Sequence, residues 1–167
     1  LAKSDHEIIG VFCQPDKSKG RGQKLMMPPV KETALAYHLP IYQPDTLRTE
    51  EVRQTLETLR PDLMVVVAYG KILPTWMLTV PKYGCINLHA SLLPLYRGAA
   101  PIQWAILEGE KETGITVMQM DEGMDTGAML STIKTTILPG ETAGELFDRL
   151  SILGGEHIVG IVDDLVS

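Results

Sequence analysis

The sequence contains few of the residues that build a metal centre, a disulfide framework or a membrane span. Its two cysteines, Cys13 and Cys85, stand alone in apolar surroundings, and its four histidines show no metal-ligand spacing. We therefore expect reduced structural thiols and no metal. The longest apolar run, residues 63–68, is far shorter than the roughly 20 residues that span a bilayer. No signal peptide is recognisable, which favours a cytoplasmic protein without membrane association.

An excess of positive charge is also missing from the chain as a whole. With 15 basic and 21 acidic side chains the formal net charge is −6, which argues against a protein whose whole surface binds nucleic acid. Residues 15–31 are the exception, because five basic side chains and one acid give this segment a charge of +4 and leave −10 for the remainder. The basic residues are Lys17, Lys19, Arg21, Lys24 and Lys31. The positive field is thus concentrated in one segment, which we predict to be a long loop over residues 14–29.

The order of apolar and polar segments predicts one domain of the α/β class. At 167 residues the chain is about as long as one ordinary domain. Residues 63–68 are typical of a strand buried on both faces of a parallel sheet, and residues 84–88 of its neighbour. Other strand-like segments are 7–13, 40–42, 115–120 and 129–136, and helix-like segments are 30–38, 49–59, 100–107 and one that begins near Thr142 and breaks near Gly154 and Gly155. We expect a mainly parallel sheet with helices on both faces.

The most informative segment, residues 85–98, leads from a short strand into a loop bounded by glycine and proline. Asn87 and His89 are two residues apart, so their side chains leave the same face of the strand. For this pair alone the preferred interpretation is structural: Asn87 caps a turn and His89 is a satisfied, half-buried histidine. We expect the hydroxyl of the nearby Ser91 to bond loop backbone rather than to act as a nucleophile.

A second segment, residues 118–127, places three acids between two strands and near two glycines. Taken alone, such a segment is usually a solvated turn whose carboxylates cap backbone amides. A carboxylate beside an imidazole would instead fix the tautomer of the histidine. Asn87, His89 and Asp125 together suit acyl transfer, because a fixed amide donor stabilises a tetrahedral oxyanion by about 3 kcal/mol. His89 would then move the proton and Asp125 would orient His89.

These two segments together resemble the 10-formyltetrahydrofolate-dependent formyltransferases. The shared pattern is Asn-x-His-x-Ser-Leu-Leu-Pro-x-Tyr-Arg-Gly at residues 87–98, followed by Gly-x-Asp-x-Gly at residues 123–127. The resemblance implies a Rossmann-like formyltransferase fold, 10-formyltetrahydrofolate as co-substrate, and a catalytic trio of Asn87, His89 and Asp125. It also implies folate contacts from one loop and one apolar pocket, namely Ser91, Leu92, Leu93 and Pro94, and Tyr69, Ile72, Leu73, Ile86 and Met124. Core packing is the alternative for the apolar members, and it is strongest for Ile86.

The basic segment is similar to the insertion loop of those family members that formylate the α-amino group of methionyl-tRNA. This resemblance implies that Lys17, Lys19, Arg21 and Lys24 contact initiator tRNA, with Arg21 as the main contact. A solvated basic loop is the alternative. Other members of the family formylate glycinamide ribonucleotide or an aminosugar nucleotide, or hydrolyse the formyl donor. A non-catalytic folate- or RNA-binding module is a further alternative.

The resemblance also predicts that residues 1–167 are a partial catalytic domain. The tRNA-formylating members carry an N-terminal strand with a glycine-containing turn and a C-terminal β-barrel domain, and neither has a counterpart in this sequence. We therefore expect an α/β domain truncated at its N-terminus. We further expect a monomer, and whether this length of chain is active by itself is left open.

Overall fold

The computed structural model describes residues 1–19, 21–22 and 24–167, with only the backbone of Lys19. Within this part the strands are β1 Val11–Phe12, β2 Lys17–Lys19, β3 Lys24–Met26, β4 Ile41–Tyr42, β5 Met64–Val66, β6 Cys85–His89, β7 Glu112–Gln119 and β8 Met129–Thr136. The α-helices are α1 Pro29–Ala36, α2 Glu50–Leu59, α3 Pro101–Leu107 and α4 Ala143–Val166, and a 3₁₀ helix covers Thr75–Thr79. The predicted alternation of strands and helices is confirmed.

These elements belong to two compact units. The first consists of Leu1–Pro61 with Tyr69–Val80, and the second of Asp62–Ala68 with Pro81–Ser167. In the first unit β1 pairs parallel with β4, and β2 pairs antiparallel with β3. In the second unit a four-stranded sheet has the order β5-β6-β7-β8. Its β5–β6 pairing is parallel as expected, whereas β7 and β8 add antiparallel pairings, the usual result of a short link between consecutive strands.

Helix α4 covers one face of this four-stranded sheet. A Cβ added at Gly154 would lie 3.2 Å from Ile115 Cδ1 and 3.4 Å from Leu88 Cδ2, so the helix approaches the sheet closely there. Side chains alternate between faces along β6, and Leu88 therefore points towards α4 whereas Asn87 and His89 leave the opposite face. The predicted site lies on the side of the sheet away from α4.

The predicted break of the last helix near Gly154 and Gly155 is wrong. Helix α4 runs unbroken over 24 residues, Ala143–Val166. Its start is as predicted, because Thr142 and Glu145 form a capping box. Gly154 continues the helix because its missing side chain makes room for the sheet, which offsets the low helix propensity of glycine.

Three predictions about extended segments also need correction. The strand predicted over residues 7–13 is only the two-residue β1. The strand predicted over residues 63–68 is β5, whose residues are half-buried rather than buried on both faces, since β5 is an edge strand of the described sheet. Residues 14–29, predicted as a loop, contain the antiparallel hairpin of β2 and β3. Strands of two or three residues are too short to show an alternating pattern in the sequence.

The described residues include no cluster of metal-ligating side chains, and both cysteines are buried. Within the described ranges, no three His, Cys, Asp or Glu side chains are grouped closely enough to hold a metal ion. Cys13 and Cys85 are buried thiols, and burial raises the pKa of Cys85 to about 11. Cys85 therefore stays protonated at neutral pH and is a poor nucleophile. In the part of the chain described here, no helix has the length and apolar character needed to cross a membrane.

Candidate active site

Strand β6 carries His89 to the start of a loop, where both ring nitrogens face oxygen atoms. Nε2 lies 2.8 Å from the carbonyl oxygen of Tyr96, and Nδ1 lies 3.6 Å from Oδ2 of Asp125. His89 is only 7% exposed. Because a carbonyl oxygen only accepts hydrogen bonds, Nε2 carries the hydrogen of the first contact, and Nδ1 is the nitrogen that can take up a proton. The ring is held between a neutral acceptor and a carboxylate.

The loop of residues 120–128 fixes the carboxylate of Asp125. Its Oδ2 accepts a hydrogen bond of 2.7 Å from the backbone N–H of Gly98, and its φ of 54° lies in the left-handed region. Within the same loop, Oδ1 of Asp121 accepts hydrogen bonds from the Gly123 N–H at 2.8 Å and from the Thr126 hydroxyl at 2.9 Å. The two aspartates of this segment therefore have different contacts: Asp121 stabilises the turn, and Asp125 faces His89.

Gly127 brings this loop back against strand β7. A Cβ at this position would lie 1.6 Å from the backbone oxygen of Gln119, so a side chain cannot be accommodated without a shift of the backbone. The N–H of Gln119 donates in turn to the carbonyl of Ala128 at 2.8 Å. The last glycine of the Gly-x-Asp-x-Gly pattern thus has a steric role two residues from Asp125.

Asn87 occupies the same face of β6 as His89. Its side chain is half-buried, and its carboxamide forms no hydrogen bond with the part of the chain that the structure describes. An amide that is fixed on a strand and uncommitted to a protein partner can donate to an oxyanion that develops beside it. The cap-of-a-turn interpretation of Asn87 has no support in this geometry, since residue 87 is in the middle of a paired strand.

The loop after His89 is tied to the sheet through Thr116. The Thr116 hydroxyl donates to the carbonyl of Ser91 at 2.7 Å and accepts from the N–H of Leu93 at 3.1 Å. The hydroxyl of Ser91 donates to the carbonyl of Leu95 at 2.6 Å, so it bonds loop backbone, as the sequence predicts. The Leu93–Pro94 peptide bond is cis. These contacts give the segment Ser91–Pro94 a fixed backbone beside His89.

The predicted folate contacts are divided between the two units. Ser91–Pro94 and Met124 belong to the unit that contains the trio, and Met124 is 65% exposed. Ile86 also belongs to it, but Ile86 has no exposed surface and lies on the opposite face of β6 from His89. Core packing, the alternative named for Ile86, accounts for this residue, and the structure does not bring it to the site.

The remaining predicted folate residues, Tyr69, Ile72 and Leu73, belong to the first unit. Ile72 is 78% exposed. The hydroxyl of Tyr69 is buried and has no hydrogen-bond partner among the described residues, while its carbonyl accepts from the side chain of Gln14 at 2.5 Å. Of these three residues, Ile72 is the one whose apolar side chain is exposed for contact with a ligand.

The predicted tRNA contacts lie on the hairpin of β2 and β3 and on the turn that joins these strands. Lys17, Arg21 and Lys24 are exposed, and Lys19 pairs backbone to backbone with Lys24. The side chain of Lys19, and residues Gly20 and Gln23, lie outside the described residues. The hairpin therefore presents basic side chains to solvent rather than packing them on its own unit.

A polar cluster of Asp16, Lys31 and Gln43 lies at the base of this hairpin, next to the start of β2. Nζ of Lys31 lies 2.9 and 3.0 Å from the two carboxylate oxygens of Asp16. The amide of Gln43 donates to Asp16 Oδ1 at 2.7 Å and to the carbonyl of Gln14 at 3.0 Å. Hydrogen bonds from Gln43 and Lys31 hold the pKa of Asp16 below its usual value. Lys31, counted in the basic segment from the sequence, is thus neutralised locally by Asp16.

Comparison with known proteins agrees with the resemblance that the two segments carry. The sequence model of the formyl transferase family matches residues 1–162. The chain belongs to this family. A methionyl-tRNA formyltransferase of Alkaliphilus oremlandii is 56% identical, with 98% of this chain and 54% of the relative covered. That of Hydrogenovibrio crunogenus is 54% identical, with coverages of 99% and 53%. The chain spans about half the length of these curated relatives.

The fold of the formyl transferase family is confirmed by a solved structure. The phosphoribosylglycinamide formyltransferase of Bacillus halodurans matches with a TM-score of 0.80 at 23% sequence identity, covering 98% of this chain and 82% of that one. At that identity the likeness concerns the fold alone. The α/β class predicted from the order of the segments and the Rossmann-like formyltransferase fold implied by the resemblance are therefore both correct.

Three residues that support His89 in this formyl transferase chain escaped the sequence reasoning: Tyr96, Glu110 and Thr116. The Tyr96 hydroxyl donates to Oε1 of Glu110 at 2.7 Å, and this bond is the main reason why the pKa of Tyr96 rises to about 12. Tyr96 lies inside the pattern of residues 87–98, which was a usable signal. Glu110 comes 14 residues later, beyond α3, and no periodic pattern connects it with the site.

Proposed function

We propose that the protein containing this chain transfers the formyl group of 10-formyltetrahydrofolate to the α-amino group of methionyl initiator tRNA in the cytoplasm. The observation that supports the chemistry is the contact of 3.6 Å between the nearly buried His89 and Asp125, on the face of β6 that also carries Asn87. Relatives named methionyl-tRNA formyltransferase, 53% to 56% identical over almost the whole chain, support the choice of acceptor.

The proposed reaction is an acyl transfer through a tetrahedral intermediate. The amino nitrogen attacks the formyl carbon, and the electrons of the carbonyl bond move to its oxygen, where the Asn87 amide contributes about 3 kcal/mol of stabilisation. The proton that the amine loses passes to Nδ1 of His89, and the neighbouring Asp125 carboxylate stabilises the imidazolium. The bond between the formyl carbon and the folate nitrogen then breaks, and that nitrogen receives the proton.

We assign the folate to the Ser91–Pro94 loop and to Met124, in the unit that contains the trio. The contacts of Tyr69, Ile72 and Leu73 that the resemblance implies stay predictions. Met124 is 65% exposed, and a flat ring system would cover an apolar side chain of this kind. Backbone donors and acceptors of a loop that is anchored at both Ser91 and Leu93 would fix the orientation of the ring. We leave Ile86 out of this assignment because it is fully buried on the other face.

We assign the tRNA to the basic hairpin and its turn. Lys17, Arg21 and Lys24 are exposed, and Lys19 is a further basic residue of the same hairpin. Arginine and lysine contacts to phosphates supply most of the affinity of proteins for nucleic acid, and they do so without a need for burial. A small acceptor does not require a cationic insertion of this length. The KM of an Arg21→Ala variant for methionyl-tRNA tests the alternative of a solvated basic loop.

The central experiment is a formyl-transfer assay with methionyl-tRNA on the complete protein and its His89→Asn variant. Loss of the group to which we assign the proton should lower kcat by about 10²- to 10⁴-fold. The matched control is His38→Asn, because His38 is exposed and has a φ of 55° that asparagine adopts readily. Full turnover by the His89→Asn variant would remove His89 from the mechanism, whereas the control should keep normal activity.

The same assay separates the acceptors. Glycinamide ribonucleotide, an aminosugar nucleotide and water are offered in place of methionyl-tRNA, with formyl release measured in each case. We expect transfer to methionyl-tRNA alone. Preferential transfer to one of the small acceptors would overturn the tRNA assignment and leave the trio standing. Binding of folate and tRNA without any turnover would favour the non-catalytic binding module.

A further inference from the structure

The ring of His89 is oriented from two sides, and only the Asp125 side belongs to the trio of the proposed function. On the other side, Nε2 donates to the backbone carbonyl of Tyr96 at 2.8 Å. This bond sets the tautomer, because the neutral imidazole keeps its single hydrogen on Nε2 as long as the carbonyl stays in place. Nδ1, which faces Asp125, is then the basic nitrogen. The contacts that hold the Tyr96 carbonyl therefore determine which nitrogen of His89 can take up a proton.

The position of that carbonyl depends on the side chain of its own residue. Tyr96 has a φ of 56°, a left-handed conformation that is unfavourable for a residue with a large side chain. Its hydroxyl donates to Oε1 of Glu110 at 2.7 Å. Glu110 is itself placed by the end of α3, where its N–H donates to the carbonyl of Ala105 at 3.0 Å. A helix end thus holds the phenol, and the phenol holds a strained peptide unit against His89.

We propose that Tyr96 and Glu110 are positioning residues, whose side-chain hydrogen bond keeps the Tyr96 carbonyl on Nε2 of His89 and so reserves Nδ1 for the proton of the reaction. The role in turnover rests on the proposed formyl transfer, whereas the effect on the tautomer does not. Neither side chain is assigned to a substrate contact. The bond to Glu110, followed by burial, raises the pKa of Tyr96 to about 12, so the donor persists at neutral pH.

The test compares three variants of the complete protein. Tyr96→Phe removes the donor and Glu110→Ala removes the acceptor, so either one breaks the bond even if the other fails to fold. Glu110→Gln keeps an oxygen that can accept and should rescue the function. Tyr83→Phe is the matched control, because Tyr83 also donates its hydroxyl to a backbone carbonyl, that of Val166 at 3.5 Å, in the same unit.

The first readout is the ¹⁵N NMR spectrum of the histidine ring nitrogens at a pH where the imidazole is neutral. The chain has four histidines, and the signals of His89 are identified by their loss in the His89→Asn variant. We expect wild type, Glu110→Gln and Tyr83→Phe to show the hydrogen on Nε2. Tyr96→Phe and Glu110→Ala should shift His89 to a mixture of tautomers. An unchanged spectrum in both broken variants would overturn the proposal.

The second readout is the division between kcat and KM in the formyl-transfer assay. Both broken variants should lower kcat by about tenfold, less than the roughly 10²-fold cost of misplacing a reacting group by 1 Å. The KM values for folate and tRNA should change by less than about twofold, because neither residue touches a substrate in this account. A lower melting temperature with normal kcat would mean a merely structural tie, and a Glu110→Gln variant as slow as Glu110→Ala would rule out the hydrogen bond. If formyl transfer itself fails in the wild type, the NMR result still decides the tautomer.

Discussion

His89 is 7% exposed and has a fixed oxygen on either side of its ring, whereas Lys17, Arg21 and Lys24 are all exposed on a short hairpin. The proton transfer that we propose for the first region needs closely placed atoms, and the short contacts and close backbone approaches there would supply them. Attraction between lysine or arginine and phosphate falls slowly with distance and tolerates rearrangement. The tRNA contact that we propose for the second region would need exposed charges on an anchored base rather than a packed surface.

The two regions also use their glycines differently. Gly127 next to the trio is so crowded that a Cβ would meet the backbone oxygen of Gln119 at 1.6 Å, whereas a Cβ at Gly22 in the hairpin turn would meet no described atom within 4 Å. The crowded glycine is a packing requirement. At the open one, a side chain would be tolerated by the described residues.

The largest expected effect therefore comes from Gly127→Ala. The added methyl group must displace backbone, which costs about 1–3 kcal/mol as overpacking does elsewhere, and it moves the loop that holds Asp125. We expect a lower melting temperature together with a large loss of kcat. Gly22→Ala is the matched control and should change the free energy of unfolding by no more than about 0.5 kcal/mol. Equal effects of the two variants would contradict the contrast between a packed site and an open hairpin.

A smaller and more selective effect is expected from Arg21→Ala. Removing one cation from the exposed turn should raise the KM for methionyl-tRNA by about tenfold. Because a phosphate contact does not read the bases, the effect should be the same for tRNAs of different sequence. The dissociation constant for the folate, measured without tRNA, should stay the same. Arg48→Ala is the matched control, since Arg48 is exposed in the same unit but outside the hairpin. Parallel weakening of folate and tRNA by Arg21→Ala would contradict the assignment of the hairpin to tRNA.

The salt dependence of this KM sharpens the same prediction. A contact with one phosphate contributes about one unit to the slope of log affinity against log salt. Arg21→Ala should therefore reduce that slope, and Arg48→Ala should leave it unchanged. An unaltered slope would mean that Arg21 is a solvated charge, the alternative named from the sequence.

The sequence predicted the relative placement of Asn87 and His89 better than it predicted the hairpin, and the reason is physical. Asn87 and His89 are adjacent on one strand face, so the period of two residues alone brings them together. The approach of Asp125 to His89 cannot be derived from strand periodicity, because it depends on a loop closed by Gly127 and on a left-handed φ of 54°. Glu110 could not be found, since it reaches Tyr96 only through the geometry of α3.

The fold followed the same rule. Helices α2 and α3 and strand β8 have periodic patterns of seven to ten residues, and their predicted bounds agree closely with the structure. The hairpin strands β2 and β3 have three residues each, which leaves no periodicity to detect. The break predicted at Gly154 and Gly155 failed because glycine has two uses in a helix, and only the tertiary contact with Leu88 and Ile115 distinguishes packing from a kink.

The smallest expected effect concerns the base of the hairpin. Asp16→Asn weakens the contact with Lys31 while the new amide still accepts from Gln43, so amide hydrogen exchange in β2 and β3 should accelerate only about two- to threefold, as expected for a partly exposed ion pair. Glu57→Gln is the matched control, because Glu57 pairs with Arg53 at 3.1 Å in the same unit but far along the chain from the hairpin.

This effect should depend on pH in one direction. The folded-state pKa of Asp16 is lowered from its ordinary value of about 3.9, so the carboxylate stabilises the hairpin above that pH and stops doing so as the pH falls through the lower, folded-state value. Exchange rates in β2 and β3, corrected for the intrinsic effect of pH, should differ between wild type and Asp16→Asn at neutral pH and converge in acid. A difference that persists in acid would mean that Asp16 acts through its shape rather than its charge. The base of the hairpin would then be held by packing rather than by an ion pair.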